Sequence, residues 1–138
     1  MDLTMKWYNF IWEGPQTLLG WIIQQFVLKG KRDGGFYKGR KLIWFWKGKF
    51  FSGTSLGYYI LLPYNAGEVT TAHEYGHCLQ SNDLGPLYLS VAGVPSLYNN
   101  LKARYCARTK EDYYKRYPEA DADRRGGVVW RDGRRVLA

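Results

Sequence analysis

Apolar residues fall into blocks along this chain, and their spacing changes from block to block. Trp7 to Trp12 is aromatic and reads as an extended lead-in or a short helix. Gly14-Pro15 opens a helix expected to run to about Lys29 and to stop at Gly30, with proline in the first turn and glycine beyond the last. Its apolar set includes Leu18, Leu19, Trp21, Ile22, Ile23 and Phe26. Asp33-Gly34-Gly35 reads as a turn. Arg40 to Trp46 is rich in β-branched and aromatic residues and predicts a strand. Lys47-Gly48 then predicts a hairpin turn into Lys49-Phe50-Phe51. Ser52 to Ser55 turns again, and Leu56 to Leu62 predicts a third strand, which makes a small antiparallel sheet.

Pro63 and Gly67 close that region, and Glu68, Thr70 and Thr71 supply cap-type residues for a helix that follows. Asn82-Asp83-Leu84-Gly85-Pro86 breaks it. Leu84 to Leu101 is largely apolar but interrupted by Pro86, Gly93, Pro95 and Asn99-Asn100, so it reads as a buried helix pair or a re-entrant segment rather than a span. Lys102 to Lys110 is basic and expected to be solvated. Tyr113 to Tyr117 leads into a short helix that begins around Pro118 and ends at Gly126-Gly127. Asp132-Gly133, between Val129-Trp130 and Val136-Leu137, predicts a terminal hairpin, with Arg131, Arg134 and Arg135 read as a solvated tail. There is no internal repeat and no linker long enough to divide the 138 residues, so residues 1–138 are expected to form one α+β domain.

Charge and composition change the picture at the first long helix. Residues 15–29 would reach about 22 Å, short of the ~30 Å bilayer core, and Gln24 and Gln25 sit inside the run. Packing on the domain core is the preferred reading of this helix. Lys29, Lys31 and Arg32 follow at once, which also suits a helix lying at an anionic interface. The net charge is +8 and aromatics make up 17% of the chain, so a membrane surface ranks first among partners of opposite charge. Nucleic acid is not expected, because no RNP pattern, zinc-finger spacing or basic heptad is present. The two cysteines, Cys78 and Cys106, are too few for a disulfide framework. Asp2, Lys6 and Glu13 interrupt the first apolar run, and no small-residue cleavage site follows, so no secretory signal is expected. A cytoplasmic protein, soluble or peripheral at the membrane, is the expectation.

The candidate chemistry lies in His73-Glu74-Tyr75-Gly76-His77, an H-E-x-x-H pattern formed by the only two histidines of the chain. On a helix the histidines share one face, one turn apart, so both imidazoles can reach one metal ion while Glu74 projects towards a metal-bound water. A zinc site of this kind needs a third protein ligand and an open position. Pro118-Glu119-Ala120-Asp121-Ala122-Asp123 offers it: Glu119 and Asp123 share a helix face, Glu119 as the third ligand and Asp123 as acceptor for the outer nitrogen of a ligating histidine. Cys78, directly after His77, points about 100° away from that face and is not counted as a ligand.

H-E-x-x-H followed by E-x-x-A-D resembles the gluzincin metallopeptidases, in particular the CAAX prenyl-protease and heat-shock membrane-protease type. The matching positions are His73, Glu74 and His77 with Glu119, Ala122 and Asp123. The surrounding sequence, His73 to Leu87 and Tyr113 to Val128, is also similar to small bacterial zinc-peptidase-like proteins. The resemblance implies a zincin-like fold, zinc held by His73, His77 and Glu119, and Asp123 bracing a ligand histidine. It departs from the large members in having no series of membrane spans and only 42 positions from His77 to Glu119. Much of their substrate-binding architecture is therefore missing.

The expected function is a zinc metallopeptidase acting on a peptide or protein substrate, with Glu74 as general base for a zinc-bound water. Tyr88, Tyr98, Arg104 and Tyr114 are candidate oxyanion donors, and the sequence does not choose among them. An edge of the sheet beside the site would let an extended peptide add as one more strand. Two other classes stay open: a zinc-binding but catalytically inert membrane-surface or interaction module, and a basic interaction protein without metal. Gly53-Thr54-Ser55-Leu56-Gly57 matches the serine-hydrolase elbow G-x-S-x-G, but a strand-like segment follows where that motif requires a helix.

Overall fold

The computed structural model describes residues 6–26, 30–46, 53–105 and 113–138, with residues 103–105 described for their backbone alone. Its layers are built around β4 (Tyr59–Pro63), whose Ile60, Leu61 and Leu62 are all fully buried. Three consecutive buried apolar residues mean that both faces of the strand are covered, the usual condition of a parallel pair. β4 does pair in parallel with β2 (Arg40–Phe45), with Ile43 opposite Leu61. β1 (Arg32–Tyr37) joins the outer side of β2, and β3 (Thr54–Leu56) the outer side of β4, both antiparallel, giving the order β1-β2-β4-β3.

The α+β class expected from the sequence holds, but the sheet is mixed and not antiparallel. The reason lies in β2. Its hairpin partner is the preceding strand β1, reached through Lys38 and Gly39 at positive φ. Asp33-Gly34-Gly35 is not a free turn. It lies in β1, where the register shifts between Asp33 and Phe36 in a bulge that glycine accommodates. The expected turn at Lys47-Gly48 and strand at 49–51 lie outside the described residues. The segment predicted as one strand from Leu56 to Leu62 is folded at Gly57 and Tyr58 into the β3–β4 hairpin.

Two helical layers flank the sheet. On one face Leu42, Ile60 and Leu62 pack against Tyr75 and Cys78 of α3 (Glu68–Leu84). On the other, Ile43, Phe45 and Leu61 pack with Ile23 of α2 (Gly14–Phe26), which α1 (Trp7–Trp12) precedes. Cys78 is thus a core residue, and burial pushes its thiol up to about 12; Cys106 lies outside the described residues. A buried ion pair ties the layers: Arg40 Nη1 lies 3.0 Å from Glu13 Oε1 and also donates to the Gly57 carbonyl.

Gly85, at φ 55°, breaks the helix at the end of α3 as expected, and helical turns resume in a 3-10 turn (Gly85–Leu87), a π turn (Leu89–Gly93) and α4 (Val94–Tyr105). The expected buried helix pair does not form. Leu87, Val94, Leu97 and Tyr98 are all more than half exposed. No helix among the described residues is long and apolar enough to cross a membrane. α5 (Glu119–Gly126) then lies directly on α3, so close that a Cβ at Gly126 would stand 2.0 Å from the Ala72 carbonyl oxygen. Gly127, at φ 80°, ends α5 in the left-handed region that glycine favours. The terminal hairpin β5 (Val128–Arg131) and β6 (Arg134–Leu137) forms as expected.

Candidate metal centre

α3 brings His73 and His77 to one face, and the close approach of α5 sets Glu119 against both. Glu119 Oε2 lies 2.9 Å from His73 Nε2 and 3.0 Å from His77 Nε2. The ligating atoms of these three residues all lie within 4.8 Å of one another, and all three residues are buried. Two imidazole nitrogens and a carboxylate oxygen converging in this way can hold a metal ion.

Each donor is held from behind. His73 Nδ1 hydrogen-bonds to Asp123 Oδ1 at 2.6 Å. Asp123 in turn accepts from Arg135 at 3.0 and 2.5 Å, and the Arg135 guanidinium lies 3.4 Å over the Tyr114 ring, whose edge meets His73. His77 Nδ1 lies 2.8 Å from Gln80 Oε1, and Gln80 Nε2 donates to the Pro118 carbonyl and Asp121. The second oxygen of Glu119 accepts from the Ser96 hydroxyl on α4. With both Nδ1 atoms engaged by acceptors, the two Nε2 atoms face inward, the orientation a metal ligand needs.

These contacts set the charges. Burial would pull His73 down, but hydrogen bonds to Asp123 and Glu119 overcome it and hold the imidazole at about 9. His77 is raised for the same balance of reasons, with Glu119 as its main partner. Burial would raise Glu119, yet hydrogen bonds from the two histidines keep it far below the usual carboxylate range. Glu74 behaves differently. Burial pushes its carboxyl up, only partly offset by His77 and His73, and its Oε2 has no hydrogen-bond partner among the described residues.

The residues expected from sequence to form the site, His73, His77, Glu119, Glu74 and Asp123, are thus brought together. Among the candidate oxyanion donors, Tyr114 packs on His73, whereas Tyr98 is exposed beneath the Lys102 ammonium. Tyr88 is buried and donates to the Ser55 carbonyl at 3.3 Å. The Arg104 side chain lies outside the described residues. Arg135, read as part of a solvated tail, instead braces Asp123. Gln80, Ser96 and Tyr113 also belong to the site, beyond the residues that the motifs mark. Tyr113 is half-buried, and its phenol is raised first by burial and then by the Glu119 charge, with Asn100 as hydrogen-bond partner and Glu74 also acting on it. Only Gln80 has a positional signal, since it follows His77 by three residues on a helix. Ser55, in the G-x-S-x-G match, sits on β3 with a turn and then β4 after it, not a helix. No protein-family model, no curated protein and no solved structure matches the chain.

Proposed function

We propose that the protein is a zinc metallopeptidase. The observation that carries this reading is the union of a buried His73–His77–Glu119 cluster with the buried carboxylate of Glu74, one residue from the first ligand, whose Oε2 has no hydrogen-bond partner among the described residues. The mixed nitrogen and oxygen donor set suits zinc better than magnesium or calcium, which take oxygen donors. When bound, zinc supplies a Lewis acid that acidifies water and polarises a carbonyl. His73, His77 and Glu119 would hold it, with Asp123 and Gln80 orienting the imidazoles.

Glu74 is the general base in this reading. Its raised pKa brings it nearer to neutral pH, where it can take a proton from the attacking water and return it to the leaving amine. Tyr113 and Tyr114 are the phenols near the ligands and supply candidate donors to the developing oxyanion. β3 is one of the two edge strands of the sheet, and the residue before it, Gly53, lies against Glu74: a Cβ there would be 3.4 Å from Glu74 Oε1. An extended peptide pairing with that edge would pass beside the base.

The test is cleavage of a fluorogenic peptide library by zinc-loaded protein, with Glu74→Gln and a chelator-treated sample as controls. The reading expects cleavage that both controls abolish. Bound zinc without cleavage in the parent would instead mark an inert zinc module.

A further inference from the structure

α2 and α4 are built inside out. In a helix packed on a core in water, apolar residues face the protein. In α2 Ile23 reaches the core, but the buried residues are Gln16, Gly20 and Gln24, spaced four apart, while Leu18, Trp21 and Phe26 are 59%, 48% and 81% exposed. The inward polar groups are satisfied: Gln16 Nε2 donates to Ser81 Oγ and the Gly85 carbonyl, and Gln24 Nε2 to the Gly20 carbonyl. α4 repeats the pattern. Asn99 is buried and donates to the Tyr117 carbonyl, and Ser96 reaches Glu119, while Val94, Leu97 and Tyr98 stand out.

The two helices belong to one contiguous stretch of structure. Trp12 lies against Gly85, its Nε1 donates to the Asn82 carbonyl at 2.7 Å, and α2 touches the 3-10 turn that leads through the π turn into α4. Most of the exposed large apolar side chains among the described residues lie between Trp7 and Phe26 or between Leu87 and Leu101. Charge on this stretch has one sign. Residues 14–32 and 85–105 contain no Asp or Glu, and Glu13 is buried against Arg40. At its margins Lys6, Lys31 and Arg32 are exposed, while the acids there, Asp33 and Asp83, are paired with Lys41 and Arg125.

We propose that α1, α2 and α4 form a docking surface for an anionic lipid bilayer, with the apolar faces immersed at the headgroup–acyl boundary. Trp7, Trp12, Trp21 and Tyr98 have the amphipathic rings that settle at that depth. The thirteen residues of α2 reach only about 20 Å against a core of ~30 Å, so the helix lies in the interface plane and does not cross it. A second copy of the chain would oppose like charge to like charge on this face, whereas acidic headgroups complement it. The inference stands apart from the metal centre, since it uses none of its ligands.

The experiment is flotation with vesicles of phosphatidylcholine alone or mixed equally with phosphatidylglycerol, with tryptophan quenching by brominated acyl chains. The full chain should float with the anionic vesicles, bind the neutral ones far less, and show quenched, blue-shifted emission. Trp21→Asp and Leu97→Asp should each weaken partitioning at least about tenfold. Phe36→Asp, at an exposed apolar residue outside the surface, should leave it unchanged. Circular dichroism confirms that each variant folds. Equal binding to both vesicles, equal loss with Phe36→Asp, or no flotation with a dimer in light scattering that Trp21→Asp dissociates, would each overturn the proposal.

Discussion

Gly76 meets the Ala122 carbonyl so closely that a Cβ at Gly76 would stand 1.8 Å from that oxygen. Gly76 is a variable position of H-E-x-x-H and Ala122 the alanine of E-x-x-A-D, and their contact sets the distance between α3 and α5, and hence between the histidines and Glu119. Gly76→Ala should force the helices apart. It should weaken zinc binding although no ligand changes, and cost about 1–3 kcal/mol of stability despite alanine's better helix propensity. Zinc titration and chemical denaturation of the variant check both.

Gln80 joins three groups of the site: His77 Nδ1, the Pro118 carbonyl and Asp121. Gln80→Ala removes the acceptor that orients His77. Zinc affinity should fall by ~10–100-fold, as for other outer partners of a ligand histidine. Competition with a chromophoric chelator measures this directly.

Arg135 holds Asp123 with two nitrogens and stacks on Tyr114. Arg135→Lys keeps the charge but loses the planar fork, so it should recover little of the affinity lost in Arg135→Ala. Comparable zinc affinity in the lysine variant and the parent would show that charge alone suffices.

The Arg40–Glu13 pair lies far from the ligands in the sequence and is almost wholly buried, with side-chain exposures of 6% and 0%. Glu13→Ala leaves a buried guanidinium without its carboxylate and should destabilise the fold by about 3–5 kcal/mol. At saturating zinc, the folded fraction should still bind metal. Urea denaturation with and without zinc separates the two effects.

The metal centre was largely legible in the sequence because helical spacing sets each half of it: His73 and His77 one turn apart, Glu119 and Asp123 one turn apart. The supports were less so. Ser96 comes from another helix, and the role of Arg135 depends on how the terminal hairpin folds back on α5. The parallel pairing of β2 with β4 is a tertiary choice that strand-forming residues do not reveal. The rule in water predicts that the apolar run of α2 faces the core, yet only Ile23 packs into it, and Gln16, Gly20 and Gln24 take the rest of the inward face, where Ser81 and the Gly85 carbonyl accept from Gln16.

The most direct test of the central claim is the zinc bound by purified parent protein and by Glu119→Ala, Asp123→Ala and Glu74→Gln. The parent should hold about one zinc per chain through three protein ligands. Glu119→Ala should lose it, Asp123→Ala should bind ~10–100-fold more weakly, and Glu74→Gln should keep near-parental affinity while losing catalysis. A parent that takes up no zinc, or a Glu119→Ala variant that holds it as tightly as the parent, would contradict the account.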